Sequence, residues 1–358
     1  MREKPRTIFL ILKNGEAVLM GENRTQFAEN LTIVQNCRTE MGRRIVGQRD
    51  LIDGILTGFI AGGHVLLEGV PGLAKTLAVK TFAELSALDF KRIQFTPDLL
   101  PADLVGTLIY EQAKMTFSVR KGPVFANLIL ADEINRAPAK VQSALLEAMA
   151  EGQVTIGETS YSLPDPFFVL ATQNPIEQEG TYTLPEAELD RFLLKVLVPY
   201  PSSTEEASIV RNAADTDCRV DRNIKPKSAK LPILSVENLA SIRKDVRSVR
   251  CDDALVSYLV AIVAATRPLA EARRERRQRD DYLKYISFGA SPRASIALNH
   301  CARIHAFFEG RDFVIPEDIK AVAPAVLRHR LVLSYEAGAD GLFADDIVSR
   351  ILSVVPLP

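Results

Sequence analysis

Three short stretches of the chain carry residue types from which phosphate chemistry is built. The first is Gly69-Val70-Pro71-Gly72-Leu73-Ala74-Lys75-Thr76, which follows the apolar run Val65-Leu66-Leu67 and precedes the helix-forming Leu77-Ala78-Val79-Lys80-Thr81-Phe82-Ala83. A buried strand, a glycine-bearing loop, Lys-Thr and then a helix is the order of a P-loop. Backbone N–H groups of the loop and the helix N-terminus face an anion. Lys75 then reaches the β- and γ-phosphates, and the Thr76 hydroxyl ligates Mg²⁺. One position departs from the pattern GxxxxGK[ST]: Ala74 stands where it has its second glycine. A methyl group there predicts that Ala74 keeps a negative φ.

Two further apolar runs end in polar groups that suit the same chemistry. Leu128-Ile129-Leu130-Ala131-Asp132-Glu133 places two acids at the end of a strand. Asp132 would hold Mg²⁺, directly or through water, and Glu133 would polarise an attacking water as general base. Phe167-Phe168-Val169-Leu170-Ala171-Thr172-Gln173-Asn174-Pro175 ends in the Asn174 amide, which can orient water against a γ-phosphate or merely begin the turn before Pro175. Two arginines follow. Arg191, in Leu189-Asp190-Arg191-Phe192, suits an arginine finger entering a neighbouring subunit's site. The plainer reading is a local Asp190–Arg191 surface pair. In Ser291-Pro292-Arg293, Ser291 suits an N-cap and Pro292 the first helical position, so Arg293 projects from a helix start.

The elements that position these groups are legible as an alternation. Residues 24–44 and Arg49 to Ile60 read as helices. Strands are predicted at Val65–Glu68, Lys91–Phe95, Leu128–Ala131, Phe167–Ala171 and Leu193–Val198, with helices such as Lys140–Ala150 between them. Runs apolar at every position suit strands buried on both faces, and the alternation makes an α/β parallel sheet. From residue 203 the pattern becomes all-α. Ser203-x-x-Glu206 reads as a capping box, Lys225-Pro226-Lys227 as a loop, and helices are expected at Ser235–Val249, Asp252–Thr266, Ser291–Phe308 and Pro316–Val326. The domains expected are an extension over 1–23, a nucleotide-binding core over 24–201 and a helical lid over 202–358.

Bulk properties exclude several classes. A net charge of −1 over 358 residues gives no global basic field for nucleic acid or anionic lipid. No stretch approaches the ~20 apolar residues of a membrane span. Cys37, Cys218, Cys251 and Cys301 lack zinc-type spacing, and isolated thiols fit a reducing cytoplasm. His300 and His305 read as ordinary lid residues. Ile8-Phe9-Leu10-Ile11-Leu12 is too short for a signal-peptide core. Asn14-Gly15 could turn a hairpin between it and Ala17–Met20, or the segment could be an unstructured extension. The charge run from Glu271 to Asp281 reads as a solvated face or loop.

Taken together, the stretch Gly69–Thr76, Leu130-Ala131-Asp132-Glu133-Ile134-Asn135-Arg136-Ala137-Pro138, Ala171–Pro175, Gly180–Phe192 and Ser291-Pro292-Arg293-Ala294 resemble an AAA+ ATPase, and more narrowly the MoxR family. The match covers roughly residues 25 to 357, and the family's P-loop accepts alanine at the Ala74 position. The resemblance implies ATP or ADP with Mg²⁺ as cofactors, bound by Gly69, Val70, Pro71, Gly72, Leu73, Ala74, Lys75, Thr76, Leu77 and Asp132, with Thr76 and Asp132 at the metal. It makes Glu133 and Asp132 Walker B, Asn174 sensor 1, Arg191 the arginine finger and Arg293 sensor 2. Val46-Gly47-Gln48 resembles the segment that packs on adenine. Hydrolysis in trans implies a homo-oligomeric ring, usually a hexamer. The family also implies chaperone-like remodelling of client proteins with a separate von Willebrand factor A (VWA) domain partner.

Two segments bear on the work such an engine does. One lies between Phe95 and Pro123, with a hairpin expected over Tyr110 to Val119; the other is the hairpin Gly152 to Leu163. The second hairpin's tip, Gly157-Glu158-Thr159-Ser160, carries no cation to hold nucleic-acid phosphates. Lys114, Arg120 and Lys121 flank the first. The balance favours a protein client over a nucleic-acid translocase. A nucleotide-gated scaffold with little turnover is disfavoured by the intact Glu133, Asn174 and Arg191.

Overall fold

A computed structural model of the chain describes residues 17–175, 181–217, 233–268 and 281–358. The apolar run Ile8–Leu12, the Lys225-Pro226-Lys227 loop, Cys218 and residues 271–280 of the charge run lie outside the described residues. Helices α1 (Ala17–Arg44) and α2 (Arg49–Ala61) lead into β1 (His64–Glu68). Then come α3 (Lys75–Ser86), β2 (Phe90–Gln94), α4 (Pro101–Val105) and the hairpin of β3 (Gly106–Glu111) and β4 (Thr116–Lys121). Next are β5 (Leu128–Asp132), α5 (Ala139–Glu151) and the hairpin of β6 (Gln153–Ile156) and β7 (Thr159–Ser162). The core closes with β8 (Phe168–Gln173), α6 (Glu186–Leu189) and β9 (Phe192–Leu197).

The five strands of the main sheet run in the order β2-β5-β8-β1-β9, every pair parallel. β5 is buried at all five positions, because helices cover both faces of the sheet. One face packs against α1, α2, α3 and the lid; the other packs against α5 and Leu104 of α4. On the first face Phe59, Phe82 and Phe168 form an aromatic trio with centroids 5.0, 5.7 and 6.3 Å apart. α2 lies close on the strands through two glycines one turn apart. A Cβ on Gly54 would meet Val196 at 2.6 Å, and one on Gly58 would meet Val65 at 2.3 Å.

After β9 the C-terminal part, which includes the lid, runs through α7 (Ser203–Asp217), α8 (Val236–Ser248), α9 (Asp253–Ala265), β10 (Ile286–Phe288), α10 (Pro292–Phe308), α11 (Pro316–Leu327), β11 (Val332–Leu333), α12 (Tyr335–Ala339) and α13 (Ala344–Val354). It is helical as expected, with one addition: β10 and β11 pair as a short antiparallel ribbon. α1 ties the lid to the core. Asn30 Nδ2 donates to Asp245 Oδ2 at 2.7 Å and to Ser241 Oγ at 2.8 Å, and Phe27 meets Phe307 edge-on at 4.9 Å. Among the described residues no helix is long and apolar enough to cross a membrane.

Two local expectations are corrected. Ala17–Met20 opens α1 and is no hairpin strand; Ala, Leu and Met are strong helix formers, and that preference prevails. The capping interaction at α7 sits one residue earlier than read. Ser202 N and Oγ both donate to Glu205 Oε2, at 2.8 and 2.7 Å.

Candidate nucleotide site

The parallel order puts β1, β5 and β8 side by side, so their carboxyl ends open onto one crevice. That crevice is a cavity of about 350 Å³ lined by Pro71 to Leu77, Arg92, Gln94, Asp132, Glu133 and Asn174. Three separate sequence stretches therefore converge as their spacing predicts. The loop's helix, α3, begins at Lys75, so its first N–H groups have no partner within the helix and face the cavity.

Ala74 has φ 57° and ψ 11°, in the left-handed region, against the expectation of negative φ. The conformation costs an alanine about 1–2 kcal/mol, tolerable when the surrounding fold over-determines it. Ala74 still accepts the first helical bond, from Ala78 N at 2.8 Å. Burial lowers the Lys75 pKa, while Asp132, Glu133 and Glu68 work in the opposite direction. The Lys75 ammonium donates to the Gly69 carbonyl, which folds it back over its own loop.

The two acids are positioned by neighbours that sequence reading passed over. Thr172 donates its hydroxyl to Asp132 Oδ1 at 2.7 Å and accepts from Glu133 N at 2.8 Å, so one buried threonine orients both residues. It lies in β8 two residues before Asn174, which directly follows Gln173 at the strand's end, and that spacing is the signal that would have found it. Arg92 of β2 binds Asp132 Oδ2 twice, Nε at 3.0 Å and Nη2 at 2.6 Å. Gln94 of β2 donates to Glu133 Oε2 at 2.7 Å, and Arg136 reaches the same oxygen at 3.1 Å. Glu133 itself sits at φ 57°, a second non-glycine residue in the left-handed region beside the cavity.

Other predicted residues lie elsewhere. Gly69 and Val70 precede the cavity and do not line it. Gly47 and Gln48 line a separate cavity of about 370 Å³ with Arg38 and Glu205, and Gln48 Nε2 donates to the Pro199 carbonyl at 3.0 Å. Val46 adjoins them. Arg191 is exposed, and its Nη1 donates to the Leu146 carbonyl at 3.1 Å. It does not pair with Asp190 as the plainer reading had it. Asp190 turns instead to the lid: Arg330 Nε at 2.7 Å, Ser291 Oγ at 2.9 Å and Arg293 Nη1 at 3.7 Å. Arg293 stands at the start of α10, where Ser291 Oγ accepts from its backbone N–H at 3.2 Å.

The lining fits a magnesium–triphosphate: one ammonium, one guanidinium, one hydroxyl, two carboxylates and two amides around a cavity of about 350 Å³. This fold and this site define a P-loop nucleotide-binding protein of the AAA+ class, and comparison with known proteins narrows the class. Residues 64–194 match the ATPase family associated with various cellular activities (AAA), and residues 283–351 match the AAA lid domain. The chain is 50% identical over 319 residues to Chaperone MoxR1 of Mycobacterium tuberculosis, covering 89% of this chain and 81% of that protein. It is 31% identical over 329 residues to Protein MoxR of Methylorubrum extorquens, covering 89% and 93%. A crystal structure from Cytophaga hutchinsonii superposes with a TM-score of 0.83 at 47% identity, covering 96% of this chain and all of that one. The chain belongs to the MoxR family of AAA+ ATPases.

Proposed function

We propose that the chain binds and hydrolyses ATP with Mg²⁺ at the cavity around Lys75, that it does so in a homo-oligomeric ring, and that the cycle drives chaperone-like remodelling of client proteins. The observation that carries this reading is the convergence of Lys75, Thr76, Asp132, Glu133 and Asn174 on one crevice at the strands' carboxyl ends. When bound, Mg²⁺ neutralises charge on the β- and γ-phosphates. The chain's own groups do the rest. Lys75 holds the phosphates with its ammonium, and the loop N–H groups up to Leu77 cradle them. Thr76 and Asp132 supply oxygen ligands for the metal. Glu133 takes a proton from the attacking water, and Asn174 orients that water. Arg191, exposed and absent from the lining of its own chain's cavity, serves as the finger in the adjoining subunit's site. Arg293 reports the γ-phosphate to the lid, and Val46, Gly47 and Gln48 pack on the base.

Chaperone activity is proposed from the family, one of whose relatives is named Chaperone MoxR1. A separate VWA-domain partner and a cytoplasmic setting belong to the same proposal. Observations at the hairpins support a protein client. Lys114 pairs with Glu111 at 2.6 Å and Lys121 lies over the Phe125 ring at 4.7 Å, so both have local partners, whereas Tyr110, Met115 and Phe117 are exposed. The test is ATP turnover by wild type and Glu133→Gln, followed by isolation of proteins held by the ATP-loaded variant. Turnover in wild type alone, with clients trapped, supports the reading; equal, near-zero turnover in both assembled proteins refutes it.

A further inference from the structure

We infer that Arg92 is a resident counter-cation of the nucleotide site: it competes with Mg²⁺ for Asp132 and so sets the metal concentration at which nucleotide is taken up. The inference rests on the nucleotide reading above and adds a residue that the reading does not use. Arg92 comes from β2, a strand that carries neither the P-loop nor the two acids. Its register beside β5 places Arg92 opposite Leu130 and Gln94 opposite Asp132, so both side chains reach the acids' end of the neighbouring strand.

The Asp132 carboxylate is engaged at both oxygens. Thr172 donates to Oδ1, and two N–H groups of the Arg92 guanidinium converge on Oδ2. A carboxylate has about four lone-pair sites, and this arrangement fills three of them. Mg²⁺ needs near-octahedral oxygen ligation at ~2.0–2.1 Å and repels a cation at hydrogen-bond distance from its own ligand. Metal and guanidinium therefore cannot share Oδ2. The two ends of the pair differ in freedom: the Asp132 side chain is 12% exposed and the Arg92 side chain 48%. Asp132 is fixed in the strand, so exchange occurs by the arginine swinging toward solvent.

The release reaches the second acid. Arg92 Nη2 donates to Gln94 Oε1 at 2.9 Å, and Gln94 Nε2 donates to Glu133 Oε2 at 2.7 Å. Arg92 thus holds one carboxylate directly and steadies the amide that holds the other. Metal arriving at Asp132 loosens the whole chain of contacts in one exchange.

The experiment is Mg²⁺ titration of the full chain with a fluorescent ADP analogue, comparing wild type, Arg92→Ala and Arg92→Lys, with folding checked by circular dichroism. Losing charge-assisted bonds that the metal must break lowers the Mg²⁺ midpoint about tenfold in R92A, and R92K falls between. Should R92A fail to fold, Arg92→Gln, which keeps one donor for Gln94, carries the comparison. An unchanged or higher midpoint in the folded variant, with wild type binding normally, overturns the role of Arg92 alone. No binding by folded wild type at saturating Mg²⁺ overturns the nucleotide reading, and this inference with it.

Discussion

Asp190 accepts a hydrogen bond from Arg330 Nε at 2.7 Å across the seam between the α/β core and the lid. The Arg330 guanidinium is nearly enclosed, with a side chain 3% exposed, and its remaining donors meet the carbonyls of Phe192, Leu193 and Val326. Burial lowers the Arg330 pKa, and the Asp190 carboxylate holds it up. Asp190→Ala leaves this cation without its counter-charge. We expect a loss of about 2–3 kcal/mol in urea unfolding, below the full cost of breaking a buried pair because the carbonyls remain. An unfolding midpoint equal to wild type would show that the seam is held by other contacts.

The residue after this carboxylate is Arg191, and its role is separable from that of Asp190. Arg191→Ala removes one bond to the Leu146 carbonyl and nothing else that the structure records for it. Nucleotide binding should stay near wild type while hydrolysis falls about 10³-fold or more. Mixing this variant with Glu133→Gln should restore some turnover, since some interfaces then pair an intact finger with an intact base. A wild-type rate for Arg191→Ala on its own would remove the finger from the mechanism.

The left-handed Ala74 makes a prediction about size. Glycine adopts that conformation freely, whereas a β-branched residue is a genuine outlier there. Ala74→Gly should therefore retain nucleotide affinity. Ala74→Val should lower it at least about tenfold, through a misshapen loop, in the same fluorescence titration. Equal affinities for the two variants would mean that the loop does not depend on this backbone geometry.

Acid sensitivity should come in two steps. His64 at the start of β1 accepts from Val169 N through Nδ1 and contacts the Met149 carbonyl through Nε2, both at 3.1 Å, which fixes a neutral ring. Burial pushes its pKa down to about 4, against the Met149 carbonyl, which favours the charged form. Below pH 6.5 the unfolded chain takes up a proton that the folded chain refuses, so stability falls between about pH 6.5 and 4, by about 3 kcal/mol in total. Asp318 acts at lower pH. Burial alone would raise its pKa, but bonds from Arg311, His305 and the Ile315 N–H hold it at about 2. Its contribution is complete above about pH 4 and is lost as pH falls toward 2. Stability curves for His64→Gln and Asp318→Asn should each flatten in their own window; identical curves would refute the assignment.

The sheet, the loop and the two acids were legible because each functional group sits at the end of a strand buried on both faces. An unbroken apolar run marks such a strand, and its last residue marks the crevice. Arg92 and Gln94 escaped notice because β2 is an edge strand whose outward residues look like ordinary solvated positions. Only the register with β5 brings them to the acids. The φ of Ala74 is not legible in the sequence because steric preference is local, whereas the loop's path is set by β1 and α3 at its two ends. The shift of the α7 cap has a simpler cause: Ser202-Ser203 and Glu205-Glu206 offer two registers one residue apart, and spacing cannot choose between them.

The two glycines of α2 have a mechanical result. With no side chain at Gly54 or Gly58, the helix backbone rests directly on Val196 and Val65, so the strand that bears the phosphate loop has no cushion on which to slide. Immediately after Gly58 the same helix is gripped by Arg243 of α8, which donates to the carbonyls of Phe59 and Ile60, both at 3.0 Å. Strand, helix and arginine are thereby joined through backbone atoms, with no flexible side chain of the helix standing between the phosphate loop's strand and the guanidinium.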